Sequence, residues 1–156
     1  MKVKIKRLHP NAVIPCYAKP GDAGMDLTAV KVTFDEYGNI VYHTGLAFEI
    51  PEGYVGLIFP RSSNCKKNLL LTNSVGVLDS GYRGEVTLRY APNMQEVVAA
   101  SSTNFDVALS DECGVYDIGE RVGQIIIMPY PSIEFEEAEE LSQTERGTGG
   151  YGSSGK

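Results

Sequence analysis

The sequence contains no basic surplus. It carries 14 Lys and Arg against 20 Asp and Glu, a formal net charge of −6, so its charge does not mark nucleic acid as a bulk partner. No apolar run approaches the roughly 18 residues that a membrane span needs. The first residues, Met1 to Leu8, alternate lysine with valine and isoleucine and lack the apolar block of a secretory signal. Cysteine occurs three times, at Cys16, Cys65 and Cys113. That odd, wide spacing forms neither a disulfide framework nor a zinc pair and is the usage expected of a reducing, cytoplasmic compartment. There is no internal repeat and no convincing helix of twelve residues. The short helical candidates are Ser63–Asn68 and Glu136–Leu141.

What the chain has instead is turns and a period of two. It holds 17 Gly and 8 Pro. Val3 and Ile5 alternate with lysines, Val30, Val32 and Phe34 with Lys31 and Thr33, and Val86, Leu88 and Tyr90 with Thr87 and Arg89. Leu46, Phe48 and Ile50 follow a turn signal at 43–45, and Ile133 with Phe135 closes the series. Short alternating runs bounded by turn residues predict strands. The denser run Val122–Met128 predicts a strand buried on both faces. Many short strands without intervening helices predict an all-β sandwich or barrel. At 156 residues the chain is one domain, burying roughly 70% of its unfolded surface. The stretch 91–117 predicts an extended hairpin or excursion, 134–140 is an acidic solvated run, and the Gly-rich tail 146–156 cannot pack a core.

Five segments carry possible chemistry, and each has an ordinary alternative. In Gly76-Val77-Leu78-Asp79-Ser80-Gly81-Tyr82-Arg83-Gly84-Glu85, a strand stops at Asp79 and restarts at Glu85. This is either a plain hairpin with a turn aspartate or a mouth whose backbone groups read a planar base beside a proton-accepting carboxylate. Pro60-Arg61-Ser62-Ser63 offers a forked cation and hydroxyls suited to phosphate, but such a triplet is common in loops. Arg121-Val122-Gly123-Gln124 opens the dense strand with either a solvent-facing or a ligand-facing glutamine. Ala23-Gly24-Met25-Asp26-Leu27 is a turn entering a strand. The tail, Arg146 to Gly155, is either a linker or a loop whose N–H groups converge on an anion.

Taken together and in this order, the five segments resemble the five motifs of the trimeric dUTPase family, over residues 23–155. The resemblance implies an all-β, jelly-roll-like subunit of the β-clip type, with a domain over 1–145 and a flexible tail over 146–156 closing on the site. It also implies a homotrimer whose active sites are shared between subunits. The implied reaction converts dUTP and water to dUMP and pyrophosphate with Mg²⁺, limiting uracil in DNA and supplying dUMP for dTMP synthesis. The implied location is the cytoplasm, or a host's cytoplasm for a viral chain, with no nucleic-acid or membrane partner.

By the same resemblance, Asp79 is the general base and Tyr82 packs under the deoxyribose. Asn73 and the backbone of Gly76 and Val77 read uracil. Arg61, Ser62, Ser63 and Gln124 hold phosphates, and Asp26 holds waters on a magnesium ion that the triphosphate coordinates. Arg146 reaches the γ-phosphate, Tyr151 stacks on uracil, and Ser153 and Ser154 contact phosphates. A hard ion of this kind keeps several waters and needs no His or Cys cluster. Three positions depart from the pattern: Gly81 in place of an acidic residue, Ser63 in place of glycine, and Tyr151 in place of phenylalanine. Two other readings compete. A dCTP deaminase of the same superfamily would carry a glutamate where Arg89 stands. A nucleotide-sensing jelly roll without turnover would not need Asp79 or the tail.

Overall fold

The computed structural model describes residues 1–92 and 114–150. Within them the chain forms β1 (Lys4–Arg7), β2 (Met25–Thr28), β3 (Lys31–Phe34), β4 (Ile40–His43), β5 (Leu46–Glu49), β6 (Tyr54–Phe59), β7 (Leu69–Leu71), β8 (Gly76–Leu78), β9 (Thr87–Pro92) and β10 (Arg121–Pro129). One 3-10 helix spans Ser62–Lys66. One four-stranded sheet has the order β2-β10-β6-β8, a second has β3-β4-β9-β7, and β1 pairs with β5 in a ribbon. All the pairings are antiparallel. The all-β expectation holds.

The two larger sheets share one core. Leu27, Ile58, Leu78, Val122 and Ile125 of the first meet Ile40, Tyr42, Leu69, Leu88 and Tyr90 of the second. Side chains alternate across a strand, so directly paired residues share a face. In the first sheet, Gly56, Ile58, Leu78 and Ile125 lie on the inner face and are buried. Three tyrosines from separate segments stack edge to face. Tyr42 lies 5.8 Å from Tyr90 and 5.6 Å from Tyr116, centroid to centroid. Their buried hydroxyls are satisfied: Tyr90 donates to the Val122 carbonyl at 2.7 Å, and Tyr42 accepts the Tyr116 backbone N–H at 2.9 Å. Burial raises the Tyr42, Tyr90 and Tyr116 hydroxyls above the ordinary phenol value.

Several expectations need correction. The run Ile133–Phe135 is not a strand and 136–141 is not a helix. The chain past Pro129 has neither element through residue 150 and is almost entirely exposed. Among the described residues the alternation there has no ladder partner, and an isolated strand does not persist without one. The helical candidate at 63–68 is real but shorter and shifted to Ser62–Lys66. The dense strand is buried on both faces only at Val122 and Gly123; Ile126 and Ile127 are half-buried and Met128 is exposed. The reason lies in the register. β2 pairs with β10 only as far as Ile125, and from Ile126 onward β6 is the one described strand that flanks it. Phe34 is 64% exposed because it ends the edge strand β3. The excursion assigned to 91–117 lies mostly outside the described residues.

Candidate active site

On the outer face of the first sheet, one row of residues runs across three strands. Asp26 of β2 pairs with Gln124 of β10, which pairs with Phe59 of β6. The chain leaves β6 through Pro60 directly into Arg61 and the 3-10 helix, so sheet register brings three of the five segments together. Arg61 Nε donates to Asp26 Oδ1 at 2.8 Å, and Arg61 Nη1 donates to Ser63 Oγ at 3.3 Å. Gln124 Nε2 donates to the Pro60 carbonyl at 3.1 Å, and its side-chain oxygen lies against Gly24. Ser62 opens the 3-10 helix beside them.

A residue given no role by the sequence reading completes the group. Arg121 Nη1 donates to Asp26 Oδ2 at 2.9 Å, and the Asp26 carboxylate raises the Arg121 guanidinium above its ordinary value. Asp26 is thus held by two arginines, one on each oxygen, and the trio retains one positive charge. Such a surplus beside hydroxyls and a carboxamide suits a polyphosphate.

The second group is the hairpin. Among the described residues β8 is the last strand of its sheet, and no described strand pairs with its outer edge. Gly76 and Val77 lie on that edge. Gly76 packs so closely on Ile58 that a Cβ would sit 3.1 Å from the Ile58 Cβ and 3.5 Å from the Asn73 carboxamide nitrogen. Asn73 and Gly76 are therefore neighbours. The preceding turn places Ser74 at φ 58° and bonds the Val75 N–H to the Asn73 carbonyl. Beyond β8, Asp79 is exposed and its carbonyl accepts the Tyr82 N–H at 3.1 Å. Arg83 Nη1 ties the turn by donating to the Ser80 and Tyr82 carbonyls at 2.6 and 2.9 Å. Tyr82 folds over Gly84, where a Cβ would collide with its ring, and its hydroxyl donates to the Glu85 carbonyl at 3.1 Å. Gly81 has open space around it, and nothing in the structure explains glycine there.

Within one chain Gly76 pairs with Ile58, next to Phe59, but Asp79 stays apart from the first group. Leu78, which precedes Asp79, pairs with Gly56, three residues from Phe59 and so roughly 10 Å along the sheet. β8 and β2 are the two outer strands of that sheet, roughly 14 Å apart at ordinary strand spacing. Arg146 is exposed and bonds locally, its Nε donating to the Gly149 carbonyl at 3.1 Å. Tyr151, Ser153 and Ser154 lie outside the described residues. Arg89, where a deaminase would carry its glutamate, sits on the other sheet and faces Asp35 at 3.5 Å.

A dUTPase family model matches residues 10–155. The chain belongs to the dUTPase family. Curated relatives named deoxyuridine 5'-triphosphate nucleotidohydrolase include one from Nautilia profundicola, 39% identical, with all of both chains covered. Another, from Hydrogenobaculum sp., is 37% identical over 99% of each. Among solved structures, a substituted form of the Staphylococcus bacteriophage 80alpha dUTPase with dUpNHpp matches at a TM-score of 0.77 and 27% identity. That match covers 99% of this chain and 98% of the other. As a dUTPase, the chain is an enzyme of the dUTP diphosphatase class.

Proposed function

We propose that the protein hydrolyses dUTP to dUMP and pyrophosphate by attack of an Asp79-activated water on the α-phosphorus. The reading rests most heavily on one observation. In a chain of this family, the Arg61–Asp26–Arg121 trio, with Ser63 and Gln124, gathers polar donors and one surplus positive charge at one end of a sheet. Phosphoryl transfer depends mainly on positioning and charge stabilisation, and this group supplies both for a triphosphate. Asn73 and the outer edge at Gly76 and Val77 would read the uracil, and the Tyr82 ring would pack under the deoxyribose. Arg146, Tyr151, Ser153 and Ser154 would close the tail over the nucleotide.

The separation of Asp79 from Asp26 within one chain supports an assembly in which a neighbouring copy brings its hairpin to this group. So does the face between them. Val55, Leu57, Phe59, Val77, Ile126 and Met128 share the outer face by register, and Val77 and Met128 remain 65% and 44% exposed. A homotrimer with shared sites would bury that apolar face and bring an Asp79 to this group.

Magnesium fits the donor set as an ion carried by the substrate. Among the described residues no cluster of three or more His, Cys, Asp or Glu is placed to hold a metal. Each Asp26 oxygen accepts one hydrogen bond and keeps a further lone pair, enough to hold metal-bound water. When bound with the triphosphate, the ion would neutralise phosphate charge. Asp26 would orient it, while Arg61, Ser62, Ser63 and Gln124 hold phosphate oxygens.

The test is separation of products by anion exchange after incubation of dUTP, dCTP, dTTP and UTP with Mg²⁺, for the native chain and for Asp79→Asn. The expected result is selective turnover of dUTP, and a loss in kcat of at least about 10²-fold in the variant with nucleotide binding retained. Near-native turnover by the variant would remove Asp79 from its role.

A further inference from the structure

We propose that Arg121 is a positioning residue of this site, delivered to it by a β-bulge at Val122, and that it fixes Asp26 so that Asp26 in turn aims Arg61. The inference rests on the dUTPase reading for its consequence, though not for its geometry. In a regular strand, residues 121 and 124 face opposite sides of the sheet. Here the pairing with β2 shifts: Arg121 pairs with Thr28, Gly123 with Leu27 and Gln124 with Asp26. Val122 is the extra residue, and bulges of this kind re-aim a neighbouring side chain. Thr28 and Asp26 are two apart on β2 and share a face. Arg121 and Gln124, paired to them, therefore reach that same face.

The bulge is anchored from the opposite sheet. The Val122 side chain is fully buried, and its carbonyl accepts the buried Tyr90 hydroxyl at 2.7 Å. Gly123 fits only because it lacks a Cβ, which would collide with Leu88 and lie 3.0 Å from the Phe59 carbonyl. From this fixed backbone Arg121 reaches Asp26 Oδ2 at 2.9 Å, leaving Oδ1 for Arg61 Nε at 2.8 Å. Arg61 commits a second donor to Ser63. Two of its five donors are thereby spent on orientation, and three remain for a ligand. Without Arg121, the Asp26 carboxylate loses the partner that fixes its rotation, and Arg61 loses its fixed direction. Arg121 itself is half-exposed, its side chain at 56%, so replacing it removes no core packing.

The test uses the full chain with arginine side-chain nitrogens isotopically labelled, comparing native protein with Arg121→Gln. Without nucleotide, solvent exchange of the Arg61 Nε–H is expected to quicken about tenfold in the variant, the scale of one charge-assisted hydrogen bond. In parallel, calorimetry with the Mg²⁺ complex of dUpNHpp is expected to show affinity about tenfold weaker, with the melting temperature nearly unchanged. Unchanged Arg61 exchange would overturn the proposal, and with weakened affinity it would make Arg121 a direct phosphate contact instead. Unchanged affinity alongside quickened exchange would also overturn it, because the orientation would then not matter to the ligand. If the native protein fails to bind the analogue, the dUTPase reading fails, while the Arg61 exchange comparison still decides the structural link.

Discussion

Gly123→Ala is the smallest change that tests how the two sheets meet. The added methyl would collide with a Leu88 Cδ methyl from the facing sheet and sit 3.0 Å from the Phe59 carbonyl on the neighbouring strand. The Phe59 contact is backbone in a paired ladder, so the strain falls on Leu88, which is 1% exposed and cannot swing to solvent. Overpacking of this kind costs about 1–3 kcal/mol. For a chain of this length that is a fall in melting temperature of roughly 2–12 °C. Leu88→Ala alone should cost about 2–5 kcal/mol through its cavity. Because the added methyl occupies space that Leu88 vacates, the double variant should be about as stable as Leu88→Ala alone. The assay is thermal or urea unfolding of all four proteins at one fixed concentration, since an assembling protein's apparent stability depends on it. A strictly additive double variant, or a Gly123→Ala protein as stable as the parent, would refute the reasoning. Gly123 stands between Arg121 and Gln124, so the same variant should also weaken nucleotide binding.

Tyr82→Ala should narrow the preference for dUTP over UTP toward parity in kcat/KM, since the folded-back ring would no longer stand against a 2′-hydroxyl; an unchanged ratio would place the ring elsewhere. Truncation after Glu145 should leave the melting temperature nearly unchanged, because residues 146–150 contribute nothing to the core, while kcat falls strongly if Arg146 acts on transition-state charge. Glu120 is held below the usual carboxylate value by the Asp117 backbone N–H at 2.7 Å and by Lys67 at 3.2 Å. A carboxyl whose folded value is lowered contributes stability above its unfolded value and loses it as pH falls through the folded one. The melting temperature should therefore drop as pH is lowered from the ordinary glutamate value of 4.5, and Glu120→Gln should flatten that part of the acid limb.

The class of fold and the chemistry-bearing segments are legible in the order of residues alone. Alternation at 30–34 and 86–90 marks strands because a sheet buries one face, and β3 and β9 lie there. At 46–50 the large apolar residues still alternate, because the buried residue between Leu46 and Phe48 is the small Ala47, and β5 lies there. Glycine at 76 and 123 stands where Ile58 and Leu88 approach the backbone. The order of five motifs named the family. Other features were hidden because they depend on what packs against what. β4 was invisible to alternation because Ile40, Val41 and Tyr42 are all buried, so its period of two is erased. β6 (Tyr54–Phe59) and β7 (Leu69–Leu71) likewise show no polar–apolar alternation. Ile133 and Phe135 alternate but find no partner strand among the described residues, so the pattern produces nothing. Arg121 stands three residues before Gln124, a spacing that places them on opposite faces of a regular strand. Only the bulge, held by Tyr90 from the other sheet, turns both toward Asp26. The distance between Asp79 and Asp26 likewise follows from strand order, β2-β10-β6-β8, which is set by long-range pairing rather than by any local run of residues. Local periodicity can say that a segment is a strand. Which strands flank it, and which side chains then share a face, is decided by the packing of the whole domain.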